Sequence, residues 1–223
     1  MPRFRPTTST RSKPSAPARP DTATIGPDRA RQLISIEAAR IMADTGLRDF
    51  HSAKEKARTR LDLGHAVGLP SNAEIDDAVA DQISIFGSRS SDELKVMGLR
   101  QAKELMLFLH CFKPRLSGAL SQSAVTPHTP IELHVFAPTL EDLLQFLNQS
   151  RVPHEARDKR LRFGGGTERR LPVIGFCFDD VAVELTVFST QRYQSPPLSP
   201  IDGRPMPRLT LRSVDKLLSG FTS

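Results

Sequence analysis

Two glutamates stand alone in short apolar stretches of alternating pattern. Glu132 lies within Ile131-Glu132-Leu133-His134-Val135-Phe136, and Glu184 within Val183-Glu184-Leu185-Thr186-Val187-Phe188. Successive side chains of a β-strand face opposite sides. Glu132, His134 and Phe136 therefore share one face, and Ile131, Leu133 and Val135 the other. A lone acid in such a strand faces solvent, pairs with an arginine or binds a cation. His128 and His134 flank Glu132, so a His/Glu metal site is one reading, although imidazole suits transition metals better than Mg²⁺. No third ligand follows at helical or loop spacing, and hydrogen-bonded surface or half-buried histidines are the other reading.

A second group is cationic. Arg157, Lys159, Arg160, Arg162, Arg169 and Arg170 crowd around Gly164-Gly165-Gly166. Such a hairpin suits a triphosphate or a nucleic-acid backbone, to which Arg makes bidentate contacts. It equally suits a solvated face. Nothing local supports Ser/His/Asp or Cys/His catalysis: Cys111 lies at an apolar helix end, an inert setting for a thiol.

The bulk composition bounds the rest. The chain has 223 residues, of which 38% are hydrophobic and 25% charged, with twelve Phe, one Tyr and no Trp. That is ordinary for a globular protein of one domain or slightly more, and its core must rest on Leu, Val, Ile, Ala and Phe. No apolar run approaches the roughly 20 residues of a membrane helix, so no membrane partner is expected. Cys111 and Cys177 match no metal or redox spacing. A distant pair suits a reducing compartment and hence a cytoplasmic protein, with both thiols expected to be buried. The net charge is +6. Residues 1–30 hold six basic and two acidic residues, and the remainder 25 basic and 23 acidic. The excess thus sits on a Pro/Ser/Thr-rich stretch that buries too little surface to order itself. It is expected to be a disordered basic tail, either solvated or in electrostatic contact with nucleic acid.

The elements that must position these groups read as follows. Residues 31–112 are expected to be helical: one helix carries Leu33, Ile36 and Ile41 and ends near Gly46, and a second runs from about Asp49 to Leu63. Ser71-Asn72-Ala73-Glu74 and Ser90-Ser91-Asp92-Glu93 are capping boxes that open two more, the first ending at Gly87 and the second at Pro114. From residue 113 to 223 the pattern is α/β. It comprises a short strand from Arg115 to Leu120, the Glu132 strand, a helix capped by Thr139, a hairpin of Lys159–Phe163 and Arg170–Phe178, a tight Asp179-Asp180 turn, the Glu184 strand, an extended surface segment from Ser195 to Arg208, and a helix from about Leu209 to Leu218. The fold class is α+β, with a helical N-terminal region before a small mixed or antiparallel sheet.

The stretch from about Pro114 to Phe188 resembles the nucleotidyltransferase-like superfamily. Leu69-Pro70-Ser71-Asn72-Ala73-Glu74-Ile75, the Glu132 strand, Arg160-Leu161-Arg162-Phe163 and Pro197-Leu198-Ser199-Pro200-Ile201-Asp202-Gly203-Arg204-Pro205-Met206 extend the likeness to a bacterial group of such proteins with a degenerate motif. The resemblance implies a glycine turn at Gly118 near phosphates, Glu132 as the second metal carboxylate, Glu184 as the third, and Mg²⁺ as the ion; His134 is a candidate metal ligand from the residue pattern alone. Ala119 stands where a serine is usual, and Pro130 where the first carboxylate is. The implied activity is Mg²⁺-dependent transfer of a nucleoside monophosphate from a nucleoside triphosphate, impaired or altered, with Lys159, Arg160, Arg162 and Arg170 supplying counter-charge to the anion. The alternative is a non-catalytic interaction or nucleic-acid-binding module that uses the tail and the hairpin. Similar chains also carry the name of a muramate–alanine ligase, but such a ligase needs a Gly-Lys-Thr/Ser loop, and the sequence has none. The oligomeric state is left open.

Overall fold

The computed structural model describes residues 26–86, 91–122, 125–190 and 195–221. Helix α1 spans Pro27–Thr45. Proline begins it because its fixed φ suits the first turn, where its missing N–H is not needed. The helix therefore takes in residues 27–30, which the composition assigned to the tail; residues 1–25 lie outside the described residues. Gly46, at φ 68, ends α1 as expected and donates its N–H to Met42 O at 3.1 Å. Helix α2, Phe50–Arg60, is capped by Asp49, whose carboxylate accepts from Ser52 N at 2.9 Å.

Helix α3, Asn72–Phe86, opens with the expected reciprocal box. Glu74 N donates to Ser71 Oγ at 3.1 Å, and Ser71 N donates to Glu74 Oε2 at 2.6 Å. Arg31 of α1 donates to the same carboxylate at 2.7 and 3.0 Å. Arg31 first and Ser71 second hold the Glu74 carboxyl down at about 2. The stop expected at Gly87 and the cap at Ser90 fall outside the described residues. Ile34, Ala38, Ala39 and Ile41 of α1, Ala53 and Ala57 of α2, and Ile75, Val79 and Ile83 of α3 form one core. The alanines on all the facing sides of α1 and α2 let these helices approach closely.

Helix α4, Ser91–Phe108, runs into a 3₁₀ turn at His110–Phe112, then β1, Arg115–Ser117, and α5, Ala119–Gln122. The strand expected to reach Leu120 stops at Ser117 because Gly118, at φ 70, leaves the extended region. Next come β2 (Ile131–Ala137), α6 (Leu140–Gln149), β3 (Glu155–Arg162), β4 (Glu168–Phe178), β5 (Val181–Ser189) and α7 (Leu211–Gly220). Both hairpin strands are longer than the sequence suggested, since their pairing runs unbroken from Glu155 opposite Gly175 to Arg162 opposite Glu168. Asp179 and Asp180 have φ of 46 and 62, the positive pair of a two-residue hairpin turn.

The sheet order is β1-β2-β5-β4-β3, with β2 and β5 parallel and the other pairs antiparallel. Among the described residues the protein is thus α+β, with seven α-helices and a five-stranded mixed sheet. Ile131, Leu133, Val135, Ile174, Val183, Leu185 and Val187 face a second core, which they share with α4, Leu143 and Leu147 of α6, and Val214 of α7. Helix α4, grouped by sequence with the preceding helices, therefore packs on the sheet.

The opposite face carries the polar residues of β2 and β5 and a cluster of Phe136, Phe163 and Phe188. The proline-rich segment is more than a surface strand: Leu198 N donates to Arg162 O at 2.7 Å, and Leu209 exchanges backbone bonds with Leu116, so it is tied to both sheet edges. Cys111 and Cys177 are exposed, against expectation. Cys177 alternates away from the core residues Ile174 and Phe176, and Cys111 sits in the 3₁₀ turn. Among the described residues no helix is long and apolar enough to cross a membrane.

Helix α6 anchors the strand that bears Glu132. Thr139 Oγ1 accepts from Asp142 N at 3.2 Å, while Asp142 Oδ2 accepts from Thr139 N at 3.1 Å. Thr139→Ala removes this cap and is expected to cost about 1 kcal/mol, read as a lower urea midpoint at unchanged slope.

Candidate functional site

In the parallel register of β2 and β5, Glu132 lies directly opposite Glu184. The alternation that buries Ile131, Leu133, Val183 and Leu185 turns both acids to the other face. Their side chains keep only 16% and 11% exposure. Three cations converge on them. Arg48, from the four-residue link between α1 and α2, donates through Nη2 to Glu132 Oε1, and its Nη1 lies 2.7 Å from Glu184 Oε1. Arg157 Nη2 donates to Glu184 Oε1. Lys159 Nζ lies 3.4 Å from Glu184 Oε2 and 3.8 Å from Glu132 Oε2. Arg157 and Lys159 are two apart on β3, so one strand face presents both.

Burial pushes the Glu184 carboxyl up, but Arg48, Lys159 and Arg157 outweigh it and leave it below its ordinary value. Gly118 closes the other side. It has φ +70, and a Cβ there would meet Glu132 Cδ at 2.7 Å and Glu132 Cβ at 3.0 Å. Only glycine leaves room for the carboxylate at this point, and glycine also accepts the positive φ. Pro130 is buried immediately before β2, and Ala119 opens α5.

His134, two residues beyond Glu132, is 3% exposed. Its ring packs on Phe188 with centroids 4.8 Å apart. Its Nδ1 accepts from Arg208 Nε at 3.0 Å, which makes the imidazole a neutral acceptor at that atom. Arg208 lies over Phe188 and Phe136, its Cζ 4.6 and 5.1 Å from the ring centroids. Burial first, then Arg208 and Lys159, push His134 down to about 3. Burial, then Arg115, lowers Arg208 to about 10.

The structure thus brings together Gly118, Glu132, Glu184 and Lys159, and holds His134 nearby on a separate arginine. Arg160, Arg162 and Arg170 do not join them. They lie exposed on the opposite side of the hairpin, where Arg160 and Arg170 are register partners and Arg160 pairs with Glu168 at 3.6 Å. His128 is exposed in a turn and packs on Gly46: a Cβ at that glycine would lie 3.0 Å from the His128 Cβ. Arg48 is the residue that sequence reasoning missed. It is 84 positions from Glu132 and lies in a loop, where periodicity says nothing. Arg157 was legible as part of the basic hairpin, and its period-two spacing from Lys159 was the available signal.

The two acids are register partners on one sheet face, but the arrangement does not fit Mg²⁺. Carboxylate oxygens of both residues are engaged by guanidinium groups, whose charge would repel a second cation at the same place. Among the described residues no group of three or more His, Cys, Asp and Glu side chains converges as a metal site. What the arrangement does chemically is neutralise two acids with three cations, which leaves a net positive face. No known protein-family model matches the chain, and no curated protein matches it in sequence.

Protonation of His134 sets a pH dependence. Its folded pKa lies below the ordinary 6.5, so the unfolded chain binds a proton that the folded chain refuses. Stability is full above about pH 6.5 and falls as pH drops toward 3, by up to about 1.4 kcal/mol per unit. Between pH 6.5 and 5, above the carboxylate range, urea midpoints of the wild type are expected to fall more steeply than those of His134→Asn, which keeps an acceptor for Arg208. Equal slopes in the two proteins would contradict this assignment.

Proposed function

We propose that the chain is a non-catalytic, nucleotidyltransferase-like binding module whose partner is a nucleic-acid backbone. The observation that carries this reading is the engagement of Glu132 and Glu184 by Arg48, Arg157 and Lys159. Phosphoryl transfer depends on metal ions and positioned phosphates, and here the carboxylates are committed to protein cations. The missing first carboxylate at Pro130 and the missing hydroxyl at Ala119 agree with it.

Arg160, Arg162 and Arg170 are exposed on one side of the hairpin, where phosphates reach them without disturbing the acidic pair. The basic residues of segment 1–30 add charge of the same sign. Contacts of this kind position a backbone and carry no base specificity. The reading is therefore of general, salt-sensitive binding to single strands or duplexes.

Two measurements on the full chain decide between the module and a transferase. Fluorescence anisotropy with labelled single-stranded RNA or DNA is expected to give binding that weakens with salt. Three phosphate contacts correspond to a log–log slope of about −2, and each Arg160→Ala, Arg162→Ala or Arg170→Ala change flattens it by about 0.7. Calorimetry with Mg²⁺ or Mn²⁺ and ATP or CTP is expected to show no nucleotide binding that depends on Glu132. Absent or salt-insensitive nucleic-acid binding, or divalent-dependent nucleotide binding lost in Glu132→Ala, would return the site to the transferase reading.

A further inference from the structure

We propose that Arg48 is a built-in counter-cation that docks helices α1–α3 onto the sheet, so that these helices form a lid over Glu132 and Glu184. The inference rests on the pair being ion-paired rather than metal-bound. Three features of the structure carry it.

The helices own a complete core. Ile34, Ile41, Ile75, Val79 and Ile83 pack with one another and the alanines, and with no residue of the sheet's core. Among the described residues, element-to-element packing between α1–α3 and the rest of the fold is sparse. Contacts that span the two parts include two polar ones, Arg48 to both glutamates and Asn72 Nδ2 to Pro200 O at 2.6 Å, together with the close approach of Gly46 to His128.

Arg48 is built for this task. One guanidinium spans two strands, each Nη reaching a different carboxylate through the planar fork of arginine, whereas the single ammonium of Lys159 reaches the same two acids only at 3.4 and 3.8 Å. The link that carries it is held at both ends by helix caps, Gly46 and Asp49. Arg157 and Lys159 belong to β3 and stay with the sheet when the helices leave. Without Arg48 the two acids still face two cations, so the sheet is left neutral rather than strained. The Arg48 side chain keeps 38% exposure, which gives salt access to the contact.

The test is the distance between the helices and the sheet, in the full chain with Cys111→Ser. Spin labels are placed at native Cys177, exposed on β4, and at Lys56→Cys, exposed on α2. Pulsed dipolar spectroscopy is expected to give one narrow distribution in the otherwise wild-type protein. With Arg48→Ala the distribution is expected to broaden roughly twofold, as for a locally released unit, with helical circular dichroism retained. Arg48→Lys is expected to lie between the two. Raising salt toward 1 M broadens the wild-type distribution in the same direction, a control that does not need the variant to fold. A narrow, unmoved distribution in Arg48→Ala, or in the wild type at high salt, overturns the proposal. Glu132-dependent divalent binding by the wild type would instead overturn the ion-pair reading itself, and calorimetry detects that separately from the distance.

Discussion

Two carboxylates lie side by side on neighbouring parallel strands, nearly shut off from water, and the rest of the structure answers to that constraint. Strands about 4.8 Å apart bring directly opposed side chains into contact, and like charges there destabilise a sheet. Burial raises the Glu184 pKa, yet Arg48, Lys159 and Arg157 together bring it below its ordinary value. The sign of that result means that the cations more than offset desolvation. Stripping all three cations would leave buried acids uncompensated, which costs more than the pairs contribute when intact, whereas Arg157 and Lys159 alone still balance the two charges.

The surrounding elements follow from it. Gly118 has no side chain because Glu132 fills that space. Arg157 and Lys159 alternate along β3 so that one edge strand supplies two of the three charges. The third comes from the α1–α2 link, and that requirement joins two separately packed cores. The same face of the sheet handles a further guanidinium differently. Arg208 lies on Phe136 and Phe188 and donates to a neutral His134, so aromatic faces and an imidazole do there what carboxylates do for Arg48. The proline-rich segment that carries Arg208 is pinned to β3 at Leu198 and to β1 at Leu209.

Much of the fold was legible from local rules. The caps at Ser71, Thr139 and Gly46, and the alternation in Ile131–Phe136 and Val183–Phe188, are short-range signals, and the elements they predict are present. Boundaries were less legible where tertiary pairing extends an element, as in β3 and β4, or where one backbone angle ends it, as at Gly118. The helix grouped by sequence with α1–α3 packs instead on the sheet, since periodicity shows that α4 has an apolar face but not what covers it. The site was half legible. Glu132, Glu184 and Lys159 stood out by type and spacing, and an arginine partner for Glu184 was a stated alternative. Arg48 left no trace because a loop residue 84 positions away has no pattern to betray its contact.

The central claim is that Arg48 is energetically coupled to the acidic pair and does more than rest on it. A double-mutant cycle on urea-unfolding free energies, with Arg48→Ala, Glu184→Gln and the double variant, measures that coupling directly. The account predicts an interaction energy of at least about 1 kcal/mol, within the range of about 0.5–3 found for residues sharing one ionic network. A value near zero, as for many exposed ion pairs, would contradict it and make Arg48 a bystander at the site.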